Sequence, residues 1–88
     1  MNLIVSYFLN QIKGQRQLKD DVVYKGQYYC VSTVELPYPI GTFNYETMIF
    51  PYENGQISYI EEHCKRHVSK EEARAYHEYI ILHLEQVL

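Results

Sequence analysis

Histidine and cysteine side chains are the first candidates for chemistry in this sequence. His63, Cys64 and His67 lie close together, and Cys30 supplies a second thiol. All four are zinc-ligand types. If the segment is helical, His63 and His67 share a face and could bind one ion; if it is extended, they stand about 13 Å apart and cannot. Because we expect a strand end or a loop there, the sequence predicts no metal site and no cofactor.

A second histidine position is more simply structural. His77 falls on the apolar stripe of a predicted C-terminal helix, where a buried imidazole normally finds a hydrogen-bond partner. Cys64 beside His63 imitates a cysteine–histidine pair, but sequence neighbours on a strand point to opposite sides. There is no nucleophile elbow, phosphate-binding glycine loop or paired-carboxylate motif. The sequence predicts a protein that is not an enzyme.

The C-terminal helix that carries His77 has the clearest pattern. Ser69 opens it, with Glu72 three residues on as a capping box. Apolar or buried positions then recur at helical spacing to the C-terminus, at Ala73, Tyr76, His77, Ile80, Leu84, Val87 and Leu88. We predict a helix over residues 69–88.

Strand patterns precede the helix. Val22–Leu36 is rich in Val, Tyr and Thr and predicts one long strand, interrupted by the prolines of residues 37–41. Asn44–Tyr52 resumes the alternation. Asn54-Gly55 is a strong hairpin signal, because both central residues of a type I′ turn need positive φ. Gln56–Ile60 is then the return strand.

The N-terminal part has a weaker pattern. Residues 2–13 fit one face of a helix, although a strand fits nearly as well, and Gln15–Asp21 is polar and predicts a loop. The expected fold class is α+β: a small antiparallel sheet of about three strands packed with a C-terminal amphipathic helix and an N-terminal helix. We expect a single domain, 1–88, with helix and loop at 1–21, sheet at 22–62 and helix at 69–88.

Composition and charge limit the functional classes. The chain has 88 residues, 47% of them hydrophobic, and a formal net charge of −3, which suits one globular domain. Gly26–Cys64 contains acidic residues but no Lys or Arg, which argues against binding to duplex nucleic acid. The apolar run Leu3–Leu9 has no preceding Lys or Arg and is too short to span a bilayer. We expect a cytoplasmic protein without membrane contact.

Tyrosine is the most unusual feature of the composition. The chain has ten tyrosines and no tryptophan. Tyrosine is enriched at interfaces because it offers a large contact area and a hydroxyl that tolerates water. The tyrosines could equally fill the core and the sheet edge. The functional interpretation is an acidic, tyrosine-rich partner-binding surface of Tyr28, Tyr29, Glu35, Tyr45, Glu46, Tyr52, Glu53 and Tyr59.

Several segments together resemble a family of small, uncharacterised proteins of phages and prophages in Gram-positive bacteria. The first segment is 31–34, which matches a family strand with the motif STV, and the second is 45–50, which matches a strand with ETMVF. The third is 65–73 followed by His77, which matches a final helix that begins RYxTEEEA and has a His a few residues later. Ile49 stands where the family usually has Val, His67 where it has Tyr, and Tyr76 where a Gly commonly precedes the His. The likeness covers roughly residues 28–84. It implies a phage origin and, by analogy, a protein that disables a host protein.

The leading hypothesis is therefore a phage or prophage protein that binds a host protein with a basic surface. An inhibitor of a nucleic-acid-handling defence protein, in the manner of anti-CRISPR proteins, would fit such a surface. One alternative is a single-stranded nucleic-acid binder guided by Lys65, Arg66, Lys70 and Arg74. Another is a fold stabilised by zinc at His63, Cys64 and His67. Homodimerisation through Tyr79 and Ile81 is compatible with all of these.

Overall fold

The computed structural model describes residues 17–88. This part of the chain forms a five-stranded antiparallel sheet and one α-helix. The strand order is β1–β2–β3, and β3 pairs with β4 near one end and with β5 near the other. The elements are β1 (Gln17–Tyr24), β2 (Gln27–Ile40), β3 (Phe43–Glu53), β4 (Gln56–Ile57), β5 (His63–His67), α1 (Lys70–Ile80) and a 3₁₀ turn (Leu84–Gln86). The antiparallel sheet and the C-terminal helix are confirmed, and the sheet has five strands instead of about three.

The first strand corrects one prediction. Residues 17–21 were expected in a loop, but they belong to β1, which pairs with β2 from Gln17–Val34 to Tyr24–Gln27. Lys19, Asp20 and Asp21 are exposed, and among residues 17–88 β1 is the first strand of the sheet, a position where charged side chains are common. Their polarity therefore does not indicate a loop. The helix predicted at residues 2–13 lies outside the described residues.

Two tight turns lie at the same end of the sheet. Asn54 and Gly55 have φ values of 53° and 77°, so the predicted hairpin is confirmed. Its return strand β4 is shorter than predicted and ends at Ile57. Lys25 and Gly26, with φ values of 50° and 78°, form a second turn of the same kind. This turn divides the predicted strand Val22–Leu36 into β1 and β2.

At the opposite end, β2 and β3 extend beyond the described pairing with β1 and β5. The strand does not stop at Pro37 but continues to Ile40, and its pairing with β3 is irregular between Glu35 and Ile40. Neither proline can donate a ladder hydrogen bond, which accounts for the irregularity. Residues 37–44 are all exposed.

The strands alternate between two buried faces, as the pattern predicted. Val31 and Ile49 face α1 and pack with Ile80 and Leu84, and we call this side the helix face. On the distal face, a second cluster contains the buried side chains of Cys30, Val34, Met48 and Phe50. Because both faces bury apolar side chains, the central strands β2 and β3 carry almost no charge at their middle positions.

The last helix begins as predicted and ends early. The Glu72 backbone N–H donates to Ser69 Oγ at 3.1 Å, which confirms the Ser69 cap. The Glu72 side chain does not complete the predicted box at Ser69 but accepts from the preceding Val68 N–H at 3.3 Å. The α-helix ends at Ile80 rather than continuing to residue 88. The chain then bends, and Leu84 packs into the helix-face cluster. Packing of Leu84 explains the early end, since no Gly or Pro marks it.

No helix within residues 17–88 combines the length and the apolar character required to cross a membrane.

Candidate functional site

The histidine and cysteine positions of 63–67 lie on β5, beyond the predicted sheet boundary at residue 62. His63 Nε2 is 2.7 Å from the Tyr76 hydroxyl oxygen, whereas His67 Nε2 is 2.9 Å from Thr47 Oγ1. Cys64 lies on the distal face instead. The three side chains therefore do not converge, and residues 17–88 contain no group of three His, Cys, Asp or Glu side chains placed to hold a metal ion.

Both cysteines are free thiols. Burial raises the pKa of Cys30 to about 11. Burial, together with the charge and hydrogen bond of Glu46, raises the pKa of Cys64 to about 12. Because a nucleophilic cysteine needs its thiolate, neither residue is activated at neutral pH.

Three hydrogen bonds link the two buried histidines, and a fourth joins His77 to Asp20. We call this the buried network: Asp20, His77, Thr33, Thr47 and His67. His77 Nε2 lies 2.7 Å from Asp20 Oδ2, and His77 Nδ1 lies 2.8 Å from Thr33 Oγ1. Thr33 Oγ1 is 2.6 Å from Thr47 Oγ1, which is 2.9 Å from His67 Nε2. The network crosses the sheet beneath α1 from β1 to β5.

The proton positions follow from the Asp20 oxygen, which accepts the hydrogen bond from His77. A carboxylate only accepts, so His77 Nε2–H donates to it. Nδ1 of a neutral His77 must then accept from the Thr33 hydroxyl. Thr33 accepts from Thr47, and Thr47 accepts from His67 Nε2–H. All four bonds are thus satisfied in one direction with both imidazoles neutral.

Asp20, His77 and Thr33 have the residue types of an acid–base–nucleophile triad. Thr33 borders a cavity but is only 4% exposed, and its hydroxyl is held between His77 and Thr47. A nucleophile must be able to reach a substrate carbonyl or phosphorus atom. The arrangement is therefore suited to holding α1 on the sheet, as the structural interpretation of His77 expected.

The predicted partner-binding residues do not form one surface. Tyr29, Glu35 and Tyr45 lie on the helix-face side of their strands, while Tyr28, Glu46 and Tyr52 lie on the distal side. Glu53 is exposed at the end of β3. Tyr59 follows β4 and packs edge-on against Phe50, with ring centroids 5.4 Å apart. The alternation of each strand separates side chains that the sequence groups together.

Glu46 is removed from any exposed surface. Its side chain has 0% exposure, and Arg66 Nε donates to Glu46 Oε2 at 3.0 Å. The Cys64 thiol is the other side chain that interacts with this buried carboxylate. Burial raises the pKa of Glu46, and Arg66 opposes this effect through its hydrogen bond and charge. Glu46 is consequently a structural residue of the distal face.

The raised pKa of Glu46 has a testable sign. The folded protein keeps this proton to a higher pH than the unfolded chain, so the contribution of Glu46 to stability falls as pH rises from about 4.5 through the folded pKa. Glu46→Gln removes this titration. We expect the unfolding free energy of the variant, relative to wild type, to be higher at pH 8 than at pH 5 in urea titrations. Exposed Glu62→Gln is the control, and an equal difference at both pH values would contradict the assignment.

Two predicted partner-binding residues, Tyr28 and Tyr52, do meet at the end of the sheet. Tyr28 and Tyr52 line a depression of about 350 Å³ together with Asp21, Gly26, Gln27 and Gly55. Tyr28 is 60% exposed, and its strand partner Val23 is 54% exposed. We call this area the hairpin-end surface: Asp21, Val23, Gly26, Gln27, Tyr28, Tyr52, Glu53 and Gly55. Asp21, Val23, Gly26, Gln27 and Gly55 were not among the predicted site residues.

A hydrogen bond to the Asp21 carboxylate holds Tyr52 in the hairpin-end surface. The Tyr52 hydroxyl donates to Asp21 Oδ1 at 2.8 Å, and Gln27 Nε2 donates to the Tyr52 carbonyl oxygen at 2.7 Å. Burial raises the pKa of Tyr52 to about 12, with the Asp21 hydrogen bond adding to the effect. The nearby Lys25 is directed to the helix face instead, because its Nζ lies 5.4 Å from the ring centroid of Tyr24, a residue of the helix-face cluster. Among residues 17–88, no cation pairs with Asp21.

A larger cavity of about 500 Å³ lies beside the first turns of α1. Glu35 and Tyr45 line it with Lys70 and Arg74. Two of the four basic residues considered for nucleic-acid binding are thus beside Glu35, while Arg66 pairs with buried Glu46 and Lys65 Nζ lies 5.7 Å from the Tyr76 ring centroid. They do not form a continuous basic stripe.

The residues considered for homodimerisation are separated. Tyr79 is 48% exposed and stacks on His83, with ring centroids 4.3 Å apart. Ile81 is half-buried and packs against the helix-face cluster instead. Only Tyr79 of this pair is presented to solvent to any large extent.

Comparison with known protein families, curated proteins and solved structures finds no match.

Proposed function

We propose that this protein is a non-enzymatic phage or prophage protein that binds a basic protein of its bacterial host through the hairpin-end surface. Its target in the host cytoplasm would be a nucleic-acid-handling defence protein, which it would inhibit. The observation that carries the proposal is an exposed tyrosine, Tyr28, in one depression with Asp21, a carboxylate that has no ion-pair partner among residues 17–88. Phage origin and host target rest on the sequence resemblance.

The depression has the shape and charge to receive one arginine side chain of the partner. A guanidinium over the exposed Tyr28 ring would gain a cation–π contact of about 0.5–2 kcal/mol. Asp21 would accept from the same group through Oδ2, because Oδ1 already accepts from Tyr52. Glu53, exposed at the rim, adds negative charge that would speed encounter with a basic surface.

Capture from a Gram-positive host lysate treated with nuclease tests the proposal. We expect wild type to retain a basic protein that Tyr28→Ala and Asp21→Asn lose. With that protein purified, each variant should bind about tenfold more weakly or worse, because central aromatic and charged anchors supply most interface energy. The Asp21→Asn change keeps an acceptor for Tyr52 and removes only the charge.

Matched controls lie on α1. Tyr79→Ala removes an exposed tyrosine and Glu78→Gln an exposed carboxylate away from the hairpin-end surface, so both should bind like wild type. Equal binding by Tyr28→Ala and wild type would exclude this surface. Binding that fails to weaken with added salt would exclude charge complementarity.

A further inference from the structure

The buried network has a fixed number of places for protons. Three hydrogen bonds link its two histidines: His67–Thr47, Thr47–Thr33 and Thr33–His77. Each bond holds one proton between its two heavy atoms. With both imidazoles neutral, the three protons come from His67 Nε2–H and the two hydroxyls. Three bonds are then filled by three protons.

A second arrangement also fills all three bonds. If His77 is an imidazolium, its Nδ1–H donates to Thr33, Thr33 donates to Thr47, and Thr47 donates to His67 Nε2. His67 must then be the neutral tautomer that carries its proton on Nδ1. His77 Nε2–H continues to donate to Asp20. Every bond is kept, but the direction of the three linking bonds is reversed.

Charging both histidines overfills the network. His67 Nε2–H, His77 Nδ1–H and the hydroxyls of Thr33 and Thr47 would bring four protons to three bonds. One buried donor would lose its acceptor within the network. A second proton should therefore bind about tenfold more weakly than it would to independent histidines.

We propose that the buried network takes up one proton at a time, and that this proton on His77 forces His67 to change tautomer without becoming charged. The proton resides on His77 because Asp20 Oδ2 lies 2.7 Å from the opposite ring nitrogen and stabilises the imidazolium. On the other sides of His77, Thr33 of β2 is the polar group that faces it, and Arg74 of α1 lines the neighbouring cavity with Thr33.

The surroundings of His67 disfavour its charged form. Burial and the positive charge of Lys65 on β5 lower the pKa of His67, and Glu72 of α1 opposes them more weakly. Thr47 of β3 is its hydrogen-bond partner, and the Tyr76 ring of α1 lies 5.1 Å away between centroids. None of these contacts places a carboxylate within hydrogen-bond distance of His67.

Such a network would couple the charge of His77 to the tautomer of His67 across the sheet. Asp20 on β1 is 51% exposed, whereas His67 lies on β5, three strand spacings or about 14 Å away. The proton is added at His67 Nδ1, and each linking bond then passes one proton towards His77, so that the positive charge resides beside Asp20 while the hydrogen of His67 moves from Nε2 to Nδ1. The hydroxyls of Thr33 and Thr47 are the only links within the described network.

Long-range ¹H–¹⁵N spectra of the histidine side chains, recorded from pH 8 to pH 5, test the proposal. At pH 8 we expect both His67 and His77 to carry hydrogen on Nε2. On acidification His77 should charge while His67 switches to the Nδ1–H form with the same midpoint. His83, which is 42% exposed, serves as the reference histidine in the same sample.

Thr47→Val should separate the two histidines, because the isosteric side chain cannot relay a proton. His67 should then no longer change with the His77 midpoint, and Thr47→Ser should restore the shared midpoint. Unlinked midpoints in wild type, or a His67 that stays on Nε2 throughout, would overturn the proposal. The wild-type spectra decide this even if Thr47→Val fails to fold.

Discussion

His77→Leu should lower the free energy of unfolding by about 2–4 kcal/mol. Leucine has a similar volume, so the loss is one of hydrogen bonds rather than of packing. Thr33 would lose one of its two side-chain hydrogen-bond partners, and Asp20 would lose its imidazole partner. Urea titrations at pH 7 measure the change, which is large for a domain whose total stability is about 5–10 kcal/mol.

Two further substitutions at position 77 separate the contribution of the Thr33 hydrogen bond to stability from that of the Asp20 hydrogen bond. The amide of His77→Asn lies near the former Nδ1 and can accept from Thr33, whereas that of His77→Gln lies near Nε2 and can donate to Asp20. Because Thr33 is buried and Asp20 is half-exposed, we expect Asn to recover more stability than Gln. A leucine variant as stable as wild type would show that the buried network contributes little to folding.

Ile80→Ala should be the most damaging single truncation on α1, with an expected loss of about 2–5 kcal/mol. Ile80 is 1% exposed and packs between the helix and the sheet against Val31 and Ile49, with Leu84 from the bend that follows. Removing its side chain leaves a cavity that the surrounding strands cannot close. Thermal unfolding and urea titration should both detect the loss.

Leu82→Ala is the matched control for this truncation. Leu82 lies two residues away and is 75% exposed, so its removal should change stability by less than about 0.5 kcal/mol. Equal effects of the two truncations would mean that α1 does not bury Ile80 against the sheet in solution.

The two parts of the molecule argued above are physically separate. The buried network lies on the helix face under α1, whereas the hairpin-end surface is open on the distal side and at the two tight turns. Variants of the network should therefore change stability and histidine titration without changing contacts of Tyr28. Variants of Tyr28 should change binding without changing stability, and each set is a control for the other.

Local signals predicted several elements correctly. The Asn54-Gly55 turn needs positive φ at both positions, and Ser69 with Glu72 satisfies the free N–H groups at a helix start. Alternation along β2 and β3 also predicted which side chains share a face. Each of these depends on residues close together in the sequence, so no tertiary information was needed.

Other features depended on what packs around each segment. A charged stretch became β1 because the first strand of the described sheet tolerates exposed charges, and the Lys25-Gly26 turn lacked the Asn or Asp that usually marks such a turn. Gly26 was the only local signal for it. The helix ended at Ile80 because the bend that follows lets Leu84 reach the core.

The sequence by itself determined the strand alternation, the Asn54-Gly55 hairpin, the cap of α1 and the structural interpretation of His77. Only the tertiary structure decided that Glu46 is buried with Arg66, and that Tyr28 meets Asp21 and Tyr52. It also brought His67 and His77 into one network through Thr33 and Thr47. The physical reason is register: side chains far apart in sequence become neighbours only when strand pairing sets them opposite each other, and no local pattern encodes which pairs those are.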